Sequence, residues 1–323
     1  MNTVEEGWVV SDGYKILNQV ASGSHGNLVL RARRKDGDIV AIKAMPRSDL
    51  HAVACHMDEC RLGQAFTHTN IVRTLGCCHM RHQQKPHYGL VMEFVAGPCL
   101  EQTLTHWPLP PLVAVEIAQD IARALDHVHG AEDEECEPLH AVHWDVKPAN
   151  ILLAPTHAKL TDFGSAQFRD QRNPVRPGRI RGTSSYMAPE QVQGLPPTSA
   201  SDIFSLGTVL HDVCTGQRAF AYAGDWRITA FRVSGYGYAD LMASYRRIKQ
   251  AVGAAVADVA MLCHAHAEAR PTAEELAMEL SLTAERLRKQ GATFGYAEWR
   301  KSLEGPIMAM PPVRKPVFGY SSF

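Results

Sequence analysis

The sequence of 323 residues has little net charge and no long apolar run. Its formal charge is −1 and its isoelectric point lies near 7.0, which argues against a dominant surface for nucleic acid or anionic membrane. The longest apolar stretch near the C-terminus, residues 254–263, contains Asp258 and is too short to span a bilayer. We therefore expect no nucleic-acid partner and no membrane span.

Cysteine pairs at metal-binding spacing are also missing. The eight cysteines are scattered, none forms the Cys-x-x-Cys pair of a thiolate metal site, and the adjacent Cys77 and Cys78 have poor ligand spacing. The chain begins Met1-Asn2, without the glycine needed for myristoylation, and shows no secretory signal sequence. These features predict a reducing intracellular location, the cytoplasm first, with the nucleus as an alternative.

What is present is a set of chemically matched residues in two neighbouring segments. Residues 143–150 read His-Trp-Asp-Val-Lys-Pro-Ala-Asn, and residues 162–164 read Asp-Phe-Gly. Carboxylate and amide oxygens bind Mg²⁺, and an ammonium neutralises charge on a phosphoryl group during its transfer. Each segment alone is a common loop sequence. The apolar residues 151–153 and the alternating residues 158–161 predict a short hairpin between the segments, which makes the combination specific.

Two further motifs precede these segments. Residues 21–28, Ala-Ser-Gly-Ser-His-Gly-Asn-Leu, predict a glycine-rich hairpin whose backbone can approach phosphates. Residues 40–43, Val-Ala-Ile-Lys, predict a buried strand that ends in a lysine. The alternative for that lysine is an edge-strand side chain reaching into solvent.

This order of motifs resembles the eukaryotic-type protein kinases of the serine/threonine class. The resemblance implies an α+β, two-lobed protein kinase fold, with a small β-rich N-lobe carrying one main helix and a larger helical C-lobe. It places an N-terminal extension at 1–13, a kinase domain at 14–284 (N-lobe about 14–93, C-lobe about 97–284) and a C-terminal tail at 285–323. The composition of residues 289–323 predicts mostly extended chain, with docking of the aromatic end on the N-lobe as the alternative.

The resemblance also assigns catalytic roles. Asp145 would orient the acceptor hydroxyl, Lys147 would steady the moving phosphate, and Lys43 would form an ion pair with Glu59 of the C-helix. The family pattern also pairs Glu190 with Arg270 and uses Asp202 to anchor the catalytic loop. These three residues are therefore expected to support the fold of the domain rather than to take part in the reaction.

ATP is the implied phosphate donor, bound with Mg²⁺, or Mn²⁺ in its place. Asn150 and Asp162 would hold the metal ions. Backbone groups near Glu93 and Val95 would hydrogen-bond adenine, and Met92 would limit the rear of the pocket. The expected nucleotide-binding residues are Ala21, Gly23, Ser24, Gly26, Leu28, Ala41, Lys43, Met92, Glu93, Val95, Leu152 and Asp162.

Departures from the family pattern bear on regulation. Trp144 stands where kinases activated by loop phosphorylation carry arginine, so phosphate on Thr183, Ser184 or Ser185 is not expected to be required.

A second departure lies in the N-lobe. Gly63 and Thr74 occupy positions where the family stacks bulky apolar side chains, which predicts a partner, or the tail, that braces the C-helix. A one-residue shift that makes Leu62 the stacking residue is the alternative.

The residues flanking the catalytic loop bear on substrate choice. Lys147-Pro148 and Gly182-Thr183 resemble serine/threonine kinases, so protein substrates with Ser or Thr acceptors are expected. Cys99 and Ala149 stand where arginine-directed kinases place acidic groups, so strong selection for an upstream basic residue is not expected.

Three other readings stay open. A pseudokinase scaffold would bind nucleotide or partners with little turnover. A small-molecule kinase would share the two-lobe design, although such enzymes generally lack a segment like 182–190. The acidic insertion at residues 131–138 predicts a solvated loop, with a docking site for a basic partner as the alternative.

Overall fold

The computed structural model describes residues 8–22, 26–47, 50–106, 108–171, 185–196, 198–220 and 238–303. Gly23 and Ser24 of the glycine-rich hairpin lie outside the described residues, as do Thr183 and Ser184. The segment from 304 to 323, for which docking of the aromatic end on the N-lobe was the alternative, lies outside them as well.

Six strands of the N-terminal part form one antiparallel sheet in the order β1-β5-β6-β4-β3-β2. The strands are β1 (Trp8–Val10), β2 (Lys15–Ser22), β3 (Leu28–Arg33), β4 (Ile39–Pro46), β5 (Thr74–His82) and β6 (Lys85–Glu93). The sequence of residues 14–44 predicts strands separated by the glycine-rich hairpin and an Asp36-Gly37 turn, and the structure confirms these strands. Gly37 makes the turn between β3 and β4 with φ of +100°, a conformation that favours glycine.

Alternation along β4 gives the sheet two different faces. Val40, Ile42 and Ala44 pack in one apolar cluster with residues of β3, β5 and β6. Ala41 and Met45 pack in a second cluster, on the face that carries α1 (Leu50–Ala65). Because side chains alternate along a strand, Lys43 shares the face of Ala41, and this face borders the site.

Part of the expected N-terminal extension is structured. Residues 8–10, within the extension placed at 1–13, form β1, an edge strand paired with β5. Trp8 stacks on His82 with ring centroids 4.5 Å apart. Three residues are too short for an alternation signal, so the sequence pattern could not reveal this strand.

Helices make up most of the remaining described chain. They are α2 (Pro111–His129), α3 (Pro189–Val192), α4 (Ser199–Thr215), α5 (Tyr238–Val252), α6 (Ala254–Cys263), α7 (Ala273–Lys289) and α8 (Tyr296–Ser302). Apolar residues recur every three or four positions over 112–129, which predicts a helix; it is confirmed as α2, whose apolar face is buried against α4 and α7. Thr272 and Glu275 also have the sequence pattern of a capping box, and it is present at the start of α7: Glu275 N donates to Thr272 Oγ1 and Thr272 N donates to Glu275 Oε2. No helix within the described ranges is both long and apolar enough to cross a bilayer.

The prediction of mostly extended chain after residue 289 is wrong for α8. This helix lies in the described part of the C-terminal segment, and Tyr296, Trp299 and Leu303 are buried in the main apolar core. The three residues are spaced i, i+3 and i+7, a helical stripe that the proline-rich composition farther along the chain obscured. The described tail is therefore part of the packed unit, at least to residue 303.

Candidate active site

A short hairpin and two loops carry the residues of the 143–164 segments. The predicted hairpin is present as β7 (Ile151–Leu153) and β8 (Ala158–Leu160), paired in antiparallel register. Residues 143–150 precede β7, and Asp162 follows β8, so the hairpin returns Asp162 to the loop that holds Asp145. The backbone N–H of Thr161 donates to the carbonyl of Asn150 over 3.0 Å, which fastens the two loops together.

Lys43 joins the sheet to Glu59, its expected partner, and also to Asp162, which was expected only as a metal ligand. Its Nζ donates to Glu59 Oε1 over 2.6 Å and to Asp162 Oδ1 over 2.8 Å. Glu59 is on α1 and its side chain is only 4% exposed, so this carboxylate depends on Lys43 for charge compensation. The structure thus brings together β4, α1 and the Asp-Phe-Gly segment at one point.

Electrostatics keep Lys43 and Asp162 charged. Burial alone lowers the pKa of Lys43, but the carboxylates of Asp162 and Glu59 raise it above its ordinary value. Burial alone raises the pKa of Asp162, but the charge and hydrogen bond of Lys43, with the charge of Lys147, hold it well below its usual range. Asp162 is therefore an ionised carboxylate at neutral pH, the form that binds a metal ion.

The catalytic-loop residues contact one another directly. Lys147 Nζ donates to Asp145 Oδ2 over 2.6 Å. The amide nitrogen of Asn150 donates to the backbone carbonyl of Asp145 over 2.9 Å and to its Oδ2 over 3.2 Å. These bonds fix the Asp145 carboxylate and turn the Asn150 amide oxygen away from it.

Asp202 holds the start of this loop from α4. Its Oδ2 accepts from His143 N and its Oδ1 accepts from Trp144 N, both over 2.8 Å. Trp144 has φ of +64°, and the Gln191 side chain donates to its carbonyl over 3.1 Å. A non-glycine residue in the left-handed region is strained, so these bonds keep the loop in a conformation that it would otherwise leave.

The residues present suit a metal bound together with phosphate. Within the described chain, no three His, Cys, Asp or Glu side chains gather into a metal site. Mg²⁺ prefers six oxygens and is commonly held by one or two protein oxygens with phosphates and waters supplying the rest. The ionised Asp162 and the amide oxygen of Asn150 fit that pattern.

An apolar cluster lies beside these polar groups. Ala41 and Met92 are buried in this cluster, against which Val95 and Leu152 pack. Met92 is on β6 opposite Ala41. Ala21 lies opposite Val29 in the sheet, and Gly26 has φ of +77° at the end of the glycine-rich turn.

The sequence was misread at one pocket residue. Leu28 was expected to line the nucleotide site, but it packs against the outer cluster of the sheet. Val29 instead lies opposite Lys43 and packs with the pocket cluster. The register between β3 and β4 is set by the turn in which Arg34 N donates to Asp38 O. Counting residues back from that turn along β3 would have identified Val29 as the residue on the face of Lys43.

Comparison with known proteins agrees with this geometry. A family-wide sequence profile of the protein kinase domain matches residues 14–279. The chain belongs to the protein kinase family. The predicted two-lobed α+β fold is therefore confirmed, with the six-stranded sheet as the N-lobe and the helical part as the C-lobe.

Bacterial serine/threonine kinases are among its relatives. The chain is 33% identical over 230 residues to the serine/threonine-protein kinase PknA of Mycobacterium tuberculosis, covering 69% of this chain and 51% of PknA. It is 30% identical over 313 residues to the serine/threonine-protein kinase PkaA of Streptomyces coelicolor, covering 90% of this chain and 53% of PkaA. The chain thus spans about half the length of these curated relatives.

The kinase stack between the lobes is thin at its N-lobe end. The ring of Phe163 lies 4.9 Å from the ring of His143 and 4.9 Å from that of Phe66. Above them, Gly63 faces Thr74: a Cβ atom at Gly63 would lie 2.4 Å from Thr74 Oγ1. Gly63 and Thr74, the two positions expected to take part in the stack, are therefore neighbours in space. A glycine and a threonine meet where the family has bulky side chains.

Leu62, the alternative stacking residue, is also buried. It belongs to the large C-lobe cluster that contains Phe66 and Phe163. Leu62 of α1 and Phe66, which directly follows this helix, thus contribute apolar packing near Phe163.

The acidic insertion has a partner within the chain. The guanidinium of Arg169 contacts the carboxylate of Asp133 and lies 3.7 Å from that of Glu137. The backbone N–H of Arg169 donates to Leu139 O over 2.8 Å. Asp133 also accepts from the backbone N–H groups of Glu135 and Glu137. Residues 132 and 134–138 are exposed, as predicted for a solvated loop, and Asp133 ties this loop to the chain just after the Asp-Phe-Gly segment.

Proposed function

We propose that this chain is a serine/threonine protein kinase that transfers the γ-phosphate of ATP to protein hydroxyls with Mg²⁺, or Mn²⁺ in its place. The observation that carries this proposal is the contact of Lys43 with both Glu59 and Asp162, since it assembles groups from both lobes at one point. Membership of the protein kinase family and likeness to bacterial serine/threonine kinases support the same conclusion.

Each polar group has a task in this reaction. Asp162 and Asn150 would hold the metal ions, which would supply positive charge to the phosphates, and Lys43 would neutralise charge on the phosphates beside them. Asp145 orients the acceptor hydroxyl and takes its proton, while Lys147, bonded to Asp145 over 2.6 Å, steadies the transferred phosphoryl group.

The adenine lies in the apolar pocket between the lobes. Backbone groups near Glu93 and Val95 hydrogen-bond its edge, and Ala41, Met92 and Leu152 enclose its faces and rear. Ala21, Gly23, Ser24 and Gly26 cover the phosphates from the glycine-rich hairpin. Val29 takes the contact that the sequence had given to Leu28.

Substrate choice follows from the residues at the mouth of the cleft. Cys99 and Ala149 carry no negative charge at neutral pH; burial raises the pKa of the Cys99 thiol to about 11. We therefore propose Ser or Thr acceptors without strong selection for an upstream arginine. A peptide library in which upstream arginine dominated would contradict this.

The thin stack supports regulation by a bracing partner. The contact of Gly63 with Thr74 gives α1 little apolar packing on β5, so its active position depends on other contacts. A partner protein that packs against α1 would supply them. An intracellular location, the cytoplasm first and the nucleus as the alternative, stays a prediction, as do the domain limits at 14 and 284.

The proposal is tested by phosphate transfer to a mixed Ser, Thr and Tyr peptide library with γ-labelled ATP and Mg²⁺. The wild-type chain should label Ser and Thr, and Asp145→Asn should lose the labelling while retaining ATP binding. Asp258→Asn, far from the cleft on α6, is the matched control and should label as wild type does. A wild type that binds ATP but labels nothing, even with a bracing partner supplied from a native extract, would favour the pseudokinase scaffold.

A further inference from the structure

The segment after the kinase match reaches the back of the nucleotide pocket. The match ends at residue 279, and α8 follows it. Its first residue, Tyr296, donates from its backbone to Glu116 Oε2 over 2.6 Å and from its hydroxyl to Ala154 O over 2.6 Å and His157 O over 3.0 Å. With Trp299 and Leu303 buried in the core, α8 is fixed against α2 and the turn after β7.

Arg300 extends this docking to the hinge, the segment after β6 that joins the two lobes and contains Ala96. Its side chain is on the buried side of α8, and the residue is only 5% exposed. Nε donates to Leu153 O over 2.9 Å, and a terminal nitrogen of the same guanidinium donates to Ala96 O over 2.9 Å. One rigid planar group thus bridges two carbonyls that are far apart in the chain.

The two carbonyls belong to the two sides of the adenine pocket. Ala96 follows Val95, whose backbone we place against the adenine edge, and Leu153 follows Leu152, which forms the floor. The segments are also packed closely: a Cβ atom at Gly97 would lie only 1.9 Å from Leu153 O, and Leu153 N donates to Pro98 O over 2.9 Å. A small change in their separation would alter the width of the pocket.

We propose that Arg300 is a positioning residue for nucleotide binding: it fixes the hinge relative to the pocket floor and so keeps the adenine pocket ready to bind. The inference rests on the proposed kinase function. It predicts that losing Arg300 weakens ATP binding while the groups that perform the transfer stay in place, because Lys43 is held by Glu59 and Asp162 and Lys147 by Asp145.

The magnitude follows from the bonds involved. Hydrogen bonds to a charged donor contribute enough that losing two of them, with partial relaxation, should change a binding equilibrium about fivefold to tenfold. A pocket that is in the binding geometry for only part of the time lowers apparent affinity by that fraction and leaves the bound complex unchanged. We therefore expect the KM for ATP to rise and kcat at saturating ATP to change by less than about twofold.

Three variants of the full chain separate positioning from simple docking of the helix. Arg300→Gln removes the bridge. Tyr296→Phe removes the hydroxyl bonds to Ala154 and His157 but leaves the bridge, so it should lower the melting temperature without raising the KM for ATP. Lys301→Gln changes an exposed residue of the same helix and should match the wild type in both.

The readouts are the KM for ATP, the KM for the acceptor peptide, kcat, the melting temperature and calorimetric binding of ATP with Mg²⁺. Arg300→Gln should raise the KM and Kd for ATP about fivefold to tenfold and leave the acceptor KM unchanged. The inference is overturned by an ATP affinity within about twofold of wild type, or by an equal loss of ATP affinity in Tyr296→Phe. If the wild type bound ATP but transferred no phosphate, the proposed function would fail while the binding measurement still decided the role of Arg300.

Discussion

Lys43 donates to Asp162 over 2.8 Å although 119 residues separate them in the chain. One residue belongs to the sheet of the N-lobe and the other follows the hairpin of the C-lobe, so this bond spans the cleft between the lobes. The same ammonium donates to Glu59 on α1. The position of α1, the sheet and the Asp-Phe-Gly segment are therefore coupled through a single side chain.

Lys43→Met should reduce phosphate transfer at least about 100-fold, because it removes the cation that neutralises charge next to the metal-binding Asp162. It also leaves the buried Glu59 without its ion pair, so a loss of about 1 to 3 kcal/mol in the free energy of unfolding is expected. Labelled-phosphate transfer and urea unfolding check the two effects. Lys15→Met, an exposed lysine of β2, is the control, and an equal loss of activity there would contradict the assignment.

Alanine at Thr183, Ser184 and Ser185 together should leave activity within about threefold of the wild type, because Trp144 offers no cation to a phosphate on this segment. Trp144 is 5% exposed and its backbone is held by Asp202 and Gln191 without any help from a phosphate. The measurement is the rate of phosphate transfer by the triple variant. Loss of activity in a variant that unfolds at the wild-type temperature would overturn this prediction.

Arg270→Met should destabilise the C-lobe by about 3 to 5 kcal/mol, because it strands a partly buried carboxylate. Arg270 donates to Glu190 over 2.6 Å and 3.1 Å, and its side chain is 2% exposed. Burial alone raises the pKa of Glu190, but the hydrogen bonds and charge of Arg270 bring it below its usual value. Denaturant unfolding measures the loss.

The double variant Arg270→Met with Glu190→Gln is the control for this ion pair. It should be more stable than the sum of the two single losses predicts, because neither partner is then left as an unpaired charge. Additive losses would show that the pair is not coupled.

His264 should make the protein less stable in mild acid. Burial lowers its pKa to about 3, with nearby His211 and Arg270 acting in the same direction, whereas an unfolded histidine has a pKa near 6.5. Between these values only the unfolded chain takes up the proton, so the contribution is complete above about pH 6.5 and falls as the pH drops toward 3. From about pH 7.5 to about pH 5 the loss from this residue is about 2 kcal/mol.

Two variants test this pH dependence. His264→Phe keeps an aromatic ring against Phe204, and His264→Gln keeps a polar partner for Thr208. Each should reduce the pH dependence of the free energy of unfolding by about 2 kcal/mol, whatever its effect on absolute stability. Urea unfolding at the two pH values gives the difference directly, and an unchanged pH dependence in both variants would refute the prediction.

Much of the fold could be predicted from local patterns. The alternation of residues 14–44, the apolar face of α2 and the Thr272 capping box each report one local structure, and the structure has all three. The contacts between Lys43 and Glu59 and between Glu190 and Arg270 were also expected, but only because the motifs resemble a family. No local pattern states that residues so distant in sequence are neighbours in space.

What was missed depended on register and on long-range packing. Leu28 and Val29 exchange faces of the sheet when the β3–β4 turn changes length by one residue. The glycine-rich motif lies at the other end of β3 and gives no information on the length of that turn. The helix α8 is short, so the helical spacing of Tyr296, Trp299 and Leu303 is a weak signal. The composition of the whole tail predicted extended chain instead. Arg169, the partner of Asp133 in the acidic insertion, is 36 residues farther along the chain and could be identified only in three dimensions.

The most direct test is calorimetric titration of ATP into the wild type and into Asp162→Asn, each with and without Mg²⁺. The account predicts that Mg²⁺ strengthens ATP binding to the wild type at least about tenfold and that Asp162→Asn loses most of this gain. Absence of ATP binding to the folded wild type, or an equal effect of Mg²⁺ on both proteins, would contradict the assignment of the nucleotide and metal site.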